Sequence, residues 1–122
     1  MSEKGPLGGI YSALKNARYE RVFVLACDMP DLDPRILGLL LDHGENELVV
    51  PRWRNGHLEP LCSLYSKSQM PLVEEMLASG TLKISELFSR VEKATFPVID
   101  EWIEQGLISA GCFRNMNELH SE

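Results

Sequence analysis

The sequence predicts a layered α/β domain in which helices cover both faces of a mostly parallel sheet. Short apolar segments at residues 21–26, 47–51 and 94–99 have the length and the composition typical of strands. Segments with apolar residues at helical spacing lie between them, so strand and helix patterns alternate along the chain. The segment RVFVLA at residues 21–26 is apolar at successive positions, which indicates a strand buried on both faces, as in a parallel sheet.

The composition is that of an acidic globular protein. The 122 residues include 12 Lys+Arg and 18 Asp+Glu, for a net charge of −6, and 44% of them are hydrophobic. This hydrophobic content argues against intrinsic disorder, and no apolar run approaches the roughly 18–20 residues of a membrane span. An acidic chain with no basic block is a poor nucleic-acid binder. We therefore expect one domain, residues 1–122, in the cytoplasm, that binds neither a membrane nor nucleic acid.

The first helix is predicted to open at the glycine-rich run GPLGG, residues 5–9. Ile10, Ala13, Leu14 and Ala17 follow the i, i+3, i+4, i+7 rule of a helix with one apolar stripe. N–H groups at a helix start attract anions, and glycine lets the backbone approach a flat base closely. The run is equally explained as a simple turn, because it matches neither the Walker A nor the dinucleotide pattern.

An acidic turn follows the strand at residues 21–26. Asp28 comes just after the carboxyl end of this strand, which is where ligands bind to an open parallel sheet. A carboxylate there is suited to Mg²⁺, which proteins usually hold with one or two carboxylates together with substrate phosphates and water. Asp28 and Asp31 are also explained as an Asx-type turn before the next helix, and both interpretations stay open.

Three further helices are predicted from capping residues and from the glycines that follow them. The pairs of cap and closing glycine are Asp33 (with Pro34 in the first turn) and Gly44, Ser68 and Gly80, and Asp100 and Gly106. Another short helix is predicted at residues 84–91 from apolar residues at helical spacing. Residues 58–65 (LEPLCSLY) have extended character, and Pro97 restricts the last strand to an edge of the sheet.

Glu59 is a charged residue inside the apolar stretch at residues 58–65. A charge there must face solvent, a partner or a ligand, because burying it unpaired is costly. Arg52, Arg54 and His57 are close in sequence, and we expect them either to form surface salt bridges with Glu59 or to hold a phosphate.

Asn115 and Asn117 alternate with apolar residues near the C-terminus. Two amides on one side of an extended segment are suited to contacting the edge of a heterocycle or a sugar. Asparagines also commonly end strands, so the structural explanation stays open.

The three cysteines are Cys27, Cys62 and Cys112. An odd number without CxxC spacing predicts reduced, structural thiols in a cytoplasmic protein, and neither a disulfide framework nor a zinc site. The scattered Ser, Cys and His residues suggest no pairing of nucleophile and base, so we predict no hydrolase triad.

Four motifs occur together and in a recognisable order. They are Gly5-Pro6-Leu7-Gly8-Gly9-Ile10, Ala26-Cys27-Asp28-Met29-Pro30, Glu59-Pro60-Leu61-Cys62-Ser63-Leu64-Tyr65 and Phe113-x-Asn115-x-Asn117. Their order and approximate spacing resemble the MobA-like nucleotidyltransferases, the molybdenum cofactor guanylyltransferases. The four motifs are spread along nearly the whole chain, in register with the family pattern.

The resemblance implies a Rossmann-like, three-layer α/β/α nucleotidyltransferase domain that transfers GMP from GTP to the phosphate of molybdopterin and releases pyrophosphate. It implies that Asp28 is catalytic and binds Mg²⁺, and that Glu59, Asn115 and Asn117 lie toward the pterin. The residues implied for the nucleotide, near its guanine end, are Gly5, Pro6, Leu7, Gly8 and Gly9.

The chain departs from the family pattern in three respects. The family's N-terminal Gly-rich phosphate loop is absent, as are the first strands with an upstream aspartate, so we expect an N-terminally truncated domain. Glu118-Leu119 replaces the usual Thr-Pro after the asparagines. Because the missing loop supplies N–H groups and a lysine to the phosphates, we expect the chain alone to be weakly active or inactive.

Three hypotheses about function therefore stay open. The chain is a guanylyltransferase, a non-catalytic module that binds molybdopterin or a nucleotide, or a truncated product that self-associates to cover its incomplete sheet. The sequence also leaves open whether GTP or CTP is preferred.

Overall fold

Helices and strands alternate along most of the chain, as predicted. The computed structural model describes residues 5–25, 33–43, 48–81, 83–109 and 111–113. The elements in these ranges are α1 (Gly5–Asn16), β1 (Arg21–Leu25), α2 (Arg35–Leu41), β2 (Leu48–Val49), β3 (Cys62–Ser66), α3 (Met70–Ala78), α4 (Ile84–Arg90), β4 (Ala94–Thr95) and α5 (Ile99–Glu104). Asp28, Gly44, Asn115 and Asn117 lie outside the described residues.

The described strands form one mixed sheet in the order β1-β3-β2-β4. β3 pairs antiparallel with both β1 and β2, and β4 pairs parallel with β2. β1, β2 and β4 therefore run in one direction and β3 runs against them, so two of the three described pairings are antiparallel where a mostly parallel sheet is expected. β3 is reversed because a tight turn at residues 52–58, and not a helical crossover, joins it to β2.

Helices cover both faces of the sheet, which confirms the three-layer α/β/α architecture. Successive strand residues point to opposite faces: in β3, Tyr65 packs with side chains of α1, α3 and α4, whereas Leu64 packs with those of α2 and α5. The same alternation separates Leu48 from Val49 in β2. Each fully buried Leu, Val or Ile in these two clusters contributes about 1.5–3 kcal/mol to folding.

The first two elements differ from the prediction in detail. The glycine-rich run is part of helix α1, whose buried stripe starts at Leu7 and continues through Ile10 and Leu14. β1 is less buried than predicted, since Leu25 is 46% exposed. β1 lies at an edge of the described sheet, where only one neighbouring strand and the helices cover it.

The start of α2 confirms the role predicted for Asp33. The Asp33 carboxylate accepts a hydrogen bond from the Arg35 backbone N–H (2.9 Å) and forms an ion pair with the Arg35 guanidinium (2.7 Å). These interactions lower the pKa of Asp33. The residue therefore satisfies an N–H group of the first helical turn, as a capping side chain does.

Two other predicted caps are wrong. A 3₁₀ turn, Lys67–Gln69, precedes α3. The residue that caps this turn is Ser66, whose hydroxyl accepts from the Ser68 N–H at 3.3 Å. α5 begins at Ile99, which puts Asp100 inside the first turn, where its carboxylate accepts from the Arg54 N–H at 2.7 Å. In both cases the helical pattern begins earlier than the polar residue chosen as cap.

The predicted closing glycines of α3 and α5 are confirmed. Gly80 and Gly106 have φ values of 79° and 76°, in the left-handed region that favours glycine. The following N–H groups of Thr81 and Leu107 donate back to carbonyls five residues earlier, at 2.9 Å each. Both helices thus end where the sequence predicts.

Candidate functional site

The candidate site lies at the carboxyl edge, the end of the sheet where β1, β2 and β4 finish and β3 begins. The β1–β3 register pairs Leu25, the last residue of β1, with Cys62, the first residue of β3. The turn at residues 59–61 therefore lies beside the point where the chain leaves β1 toward Asp28. Two segments that are more than 30 residues apart are brought together in this way.

Two side chains of β3 hold the turn at residues 59–61 in place. The Ser63 hydroxyl donates to the Glu59 carbonyl at 2.6 Å, and the Tyr65 hydroxyl donates to the Pro60 carbonyl at 2.7 Å. Tyr65 is fully buried, and desolvation raises the pKa of its phenol. The turn is therefore fixed from the core side, with its backbone carbonyls satisfied.

The Glu59 carboxylate is half-buried, and one of its two oxygens accepts a hydrogen bond. The Trp53 indole N–H donates to Glu59 Oε2 at 2.8 Å, and His57 Nε2 lies 3.8 Å from the same oxygen. The side chain of Glu59 is 15% exposed, whereas that of His57 is 69% exposed. Within the part of the chain that the structure describes, Glu59 Oε1 has no hydrogen-bond or ion-pair partner.

The two arginines expected near Glu59 are bound elsewhere. The Arg54 guanidinium forms a two-pronged pair with the Glu104 carboxylate, at 2.8 and 3.0 Å. This pair raises the pKa of Arg54 and lowers that of Glu104. Arg52 Nε donates to the Phe96 carbonyl at 3.2 Å. The expected pairing of Arg52 and Arg54 with Glu59 is therefore wrong, because α5 and the segment after β4 supply their acceptors, and of the three expected residues only His57 approaches the carboxylate.

A hairpin turn carries Trp53. The Trp53 N–H donates to the His57 carbonyl at 2.7 Å, and the Gly56 N–H donates to the Trp53 carbonyl at 2.8 Å. Gly56 has a φ of 97°, so this turn requires the left-handed conformation that glycine adopts without strain. The Glu59 N–H closes the hairpin by donating to the Pro51 carbonyl at 2.9 Å.

Phe113, in the C-terminal segment, also packs against this hairpin. The rings of Trp53 and Phe113 meet edge to face, with centroids 5.9 Å apart and planes at 75°. The sulfur of Cys112 accepts from the Asp33 backbone N–H at 3.1 Å. Phe113 is the first residue of the Phe-x-Asn-x-Asn motif. The start of this motif therefore contacts Trp53, the residue that donates to Glu59.

The predicted structural role of the thiols agrees with the described part of the chain. Cys62 and Cys112 are fully buried and form no disulfide, whereas Cys27 lies outside the described residues. Burial raises the pKa of Cys62 to about 12, with smaller contributions from Cys112 and Glu59. A thiol with such a pKa is protonated at neutral pH and is a poor nucleophile or metal ligand.

The glycine-rich run lies at the start of α1. Four residues join the end of α1 to β1, and Lys67 Nζ donates to the Ala17 carbonyl there at 2.8 Å. α1 has 12 residues and β1 has five, so helix and strand are each about 17–18 Å long. From the short connection, the matched lengths and the packing of α1 on β1, we infer that α1 runs back along β1 and that the glycine-rich run lies toward the carboxyl edge.

The residues of the run differ in burial. Leu7 is fully buried in the core, and Gly8 is buried as well. Gly9 is exposed, and a Cβ added to it would meet nothing within 4 Å. Packing therefore explains Leu7 but does not require glycine at position 9.

A preformed metal cluster is not found in the described ranges. They contain no group of three or more His, Cys, Asp or Glu side chains that could hold a metal ion. Asp28, the predicted ligand, lies outside them. A Mg²⁺ bound together with substrate phosphates needs only one or two carboxylates, and the Mg²⁺ site at Asp28 stays a prediction.

Sequence reasoning missed four residues of the site: Trp53, Ser63, Tyr65 and Phe113. A tryptophan in a polar turn is the one local signal that pointed to Trp53, since a buried indole N–H usually finds a partner. The contact between Trp53 and Phe113 joins residues 60 positions apart and left no local pattern.

Comparison with known families decides the assignment. Residues 1–95 match the model of the MobA-like NTP transferase domain. The chain belongs to this family. The match includes the glycine-rich run, Asp28 and the Glu59 turn, so the resemblance inferred from the motifs is confirmed.

Relatives of this MobA-like chain carry a consistent name. A protein of Thermococcus sibiricus named "probable molybdenum cofactor guanylyltransferase" is 38% identical over an alignment of 79 positions, which covers 62% of this chain and 40% of the relative. A protein of Thermococcus gammatolerans with the same name is 30% identical over an alignment of 122 positions, which covers 95% of this chain and 62% of the relative. The chain thus spans about half the length of the curated relatives it matches.

Two solved structures share the fold of this chain. A protein of Aquifex aeolicus superimposes with a TM-score of 0.76 at 28% identity, over 91% of this chain and 55% of its own. The molybdopterin-guanine dinucleotide biosynthesis protein A of Archaeoglobus fulgidus superimposes with a TM-score of 0.72 at 22% identity, over 94% of this chain and 59% of its own. These likenesses agree with a Rossmann-like α/β fold.

Among the described helices, none has both the length and the apolar character that crossing a membrane requires.

Proposed function

We propose that this chain acts in molybdenum cofactor biosynthesis by transferring GMP from GTP to the phosphate of molybdopterin. A phosphate oxygen of molybdopterin attacks the α-phosphorus, and the bond from that phosphorus to pyrophosphate breaks. The observation that carries the proposal is the β1–β3 register of a MobA-like domain, which sets the turn containing Glu59 beside the strand that leads to Asp28. Donor and acceptor ligands of such a reaction must meet at one edge of the sheet.

The glycine-rich run is proposed to bind the guanine end of the nucleotide. Its support is Gly9, since an exposed glycine inside a helix costs about 0.5–1 kcal/mol relative to alanine, and packing does not require it. Close approach of a flat base to the backbone accounts for glycine at this position. The residues of the proposed nucleotide site are Gly5, Pro6, Leu7, Gly8 and Gly9, with Leu7 contributing backbone groups because its side chain is in the core.

Asp28 is proposed to hold Mg²⁺ together with the phosphates of the nucleotide. The ion, when bound, neutralises charge on the phosphates. The other residues of the site act by positioning, since phosphoryl-group transfer depends mainly on alignment and on charge stabilisation.

Glu59, Asn115 and Asn117 are proposed to face the pterin. Glu59 is supported by its half-buried carboxylate, one oxygen of which is without a partner among the described residues. The two asparagines are supported by Phe113, which fixes the start of their motif against the hairpin that carries Trp53.

The transfer reaction tests this proposal. The full chain is incubated anaerobically with magnesium, molybdopterin and GTP labelled in the α-phosphate, and labelled dinucleotide and pyrophosphate are measured. We expect a slow transfer, and we expect Asp28→Asn to lower its rate on the order of 10²-fold or more, because the variant removes the negative charge that would hold Mg²⁺ against the phosphates. Asp42→Asn is the control, since Asp42 is an exposed residue at the end of α2.

Two results would count against the enzyme. Binding of GTP and molybdopterin without any transfer would leave a non-catalytic binding module, and equal rates for the Asp28 and Asp42 variants would remove Asp28 from the site. Faster transfer from CTP than from GTP would change the nucleotide assignment.

Self-association is a further proposal on partners. Leu37 and Leu41, one turn apart on α2, are 38% and 42% exposed, and Leu25 on the edge strand β1 is 46% exposed. Exposed leucines and an edge strand are features that a second copy of the chain can cover. Sedimentation that gives a monomer at all concentrations would contradict this.

A further inference from the structure

The hydrogen bond from Trp53 to Glu59 is a contact that the hairpin does not need. Backbone hydrogen bonds at 2.7, 2.8 and 2.9 Å already close the hairpin between Pro51 and Glu59. The Ser63 hydroxyl holds the Glu59 carbonyl in addition. The hairpin backbone is therefore closed without the hydrogen bond between the indole and the carboxylate, although the indole ring itself packs against the core cluster that contains Phe113.

The carboxylate is also costly where it lies. Glu59 is only 15% exposed, and its nearest cationic side chain, His57, is 3.8 Å away and mostly solvent-exposed. Taking a carboxylate out of water without a strong ion pair lowers stability. A residue that fixes the orientation of such a carboxylate is expected to serve binding more than folding.

We propose that Trp53 is a positioning residue of the acceptor site, which orients the Glu59 carboxylate toward the 2-amino-4-oxopyrimidine edge of a pterin. This inference rests on the proposed function. The indole N–H occupies one lone pair of Oε2, so Oε1 and the second lone pair of Oε2 are available to a ligand. The edge-to-face contact with Phe113 keeps the indole ring from rotating away.

The chemistry of the carboxylate selects this kind of ligand. The ring N–H and the 2-amino group of a 2-amino-4-oxopyrimidine are two adjacent donors, which match the two oxygens of one carboxylate. Guanine has the same edge as pterin. We favour the pterin because Trp53, which donates to Glu59, also contacts Phe113, the first residue of the motif assigned to the pterin, and because the glycine-rich run is assigned to the nucleotide.

The test measures how well the full chain distinguishes pterin from lumazine, in which an oxo group replaces the 2-amino group. The wild-type chain is expected to bind pterin at least tenfold more tightly, because the oxo group of lumazine would face a carboxylate. Trp53→Phe keeps an aromatic ring against Phe113 but removes the N–H. We expect it to reduce the preference to less than threefold with an unchanged affinity for magnesium-GTP, and the melting temperature is measured to show that the variant is folded.

A double-mutant cycle separates positioning from direct contact. Glu59→Gln is expected to abolish the preference for pterin, and adding Trp53→Phe to that variant is expected to have no further effect, since the indole acts through the carboxylate. Trp102→Phe is the matched control because Trp102 lies in the core between α5 and the sheet. It is expected to keep the wild-type preference.

The outcomes distinguish this inference from the proposed function. If the wild-type chain prefers pterin and Trp53→Phe keeps that preference, the positioning role is wrong while the proposed function stands. If the wild-type chain binds neither pterin nor magnesium-GTP, the proposed function fails and this inference fails with it. If Trp53→Phe weakens only magnesium-GTP, Glu59 contacts guanine and the pterin assignment is overturned.

Discussion

Two carboxylates in this chain have different explanations at the level of single residues. Glu20 accepts hydrogen bonds from the Ser66 hydroxyl and from the Ser68 N–H, which lower the pKa of Glu20 and hold the start of the 3₁₀ turn. Its partners belong to local structure, so folding accounts for it. Glu59 accepts from an indole that the turn does not require, so ligand binding is the better explanation of its position.

The buried thiol of Cys62 predicts how stability depends on alkaline pH. Its pKa is about 12 in the folded chain and about 8.5 in an unfolded chain. Below pH 8.5 the thiol is protonated in both states, and above it the unfolded state loses the proton first. The free energy of unfolding should therefore fall as pH rises from about 8.5 toward 12.

Urea denaturation at pH 7.5, 8.5, 9.5 and 10 measures this dependence. Cys62→Ala lacks the titrating group, so its free energy of unfolding should fall less steeply across the same range, although it starts lower because a cavity replaces the sulfur. A wild-type stability that stays constant or rises between pH 8.5 and 10 would show that Cys62 ionises as easily in the folded chain as in the unfolded one.

At the level of elements, local patterns predicted most of the helices and strands. Ile10 and Leu14 are buried on α1 as their spacing predicts, Leu7 extends the same stripe, and Gly80 and Gly106 end their helices. Local patterns failed where the partner is distant in sequence. Asp100 was expected to cap its own helix, but its carboxylate binds the Arg54 N–H, 46 positions away.

The direction of β3 was another property that local patterns did not reveal. A strand's apolar content does not depend on its direction, and the sequence did not reveal that residues 52–58 form a hairpin turn. The reversal matters for the site, because it brings the start of β3, and so Glu59, to the edge where β1 ends.

Helix α1 offers a prediction that separates stability from binding. Gly9 and Gly38 both lie on exposed helical positions where a Cβ would meet nothing within 4 Å. Gly9→Ala and Gly38→Ala should each raise the free energy of unfolding by up to about 1 kcal/mol in urea denaturation. Only Gly9→Ala should weaken binding of magnesium-GTP measured by calorimetry, because its methyl group occupies the proposed approach of the base. Equal nucleotide affinities in the two variants would remove Gly9 from the nucleotide site.

At the scale of the whole molecule, the two ends of the sheet have different roles. At the edge where β1 begins, Glu20, Lys67 and Ala17 form a network of structural hydrogen bonds. At the carboxyl edge, Trp53 packs against Phe113 and donates to Glu59, and the hairpin backbone is closed without that hydrogen bond. The family and the three layers were predictable from motifs and periodicity, whereas the contact between Trp53 and Phe113 depends on packing between distant segments.

The most direct test of a ligand site at the carboxyl edge is a titration followed by NMR of the ¹⁵N-labelled chain. The chain has two tryptophans, so two indole N–H signals report on two places in the fold. Addition of pterin should shift the Trp53 indole signal and leave that of Trp102 unchanged, and magnesium-GTP should shift the amides of Gly8 and Gly9. Pterin shifts confined to the amides around Glu20 and Ser68, at the opposite edge, would contradict the account.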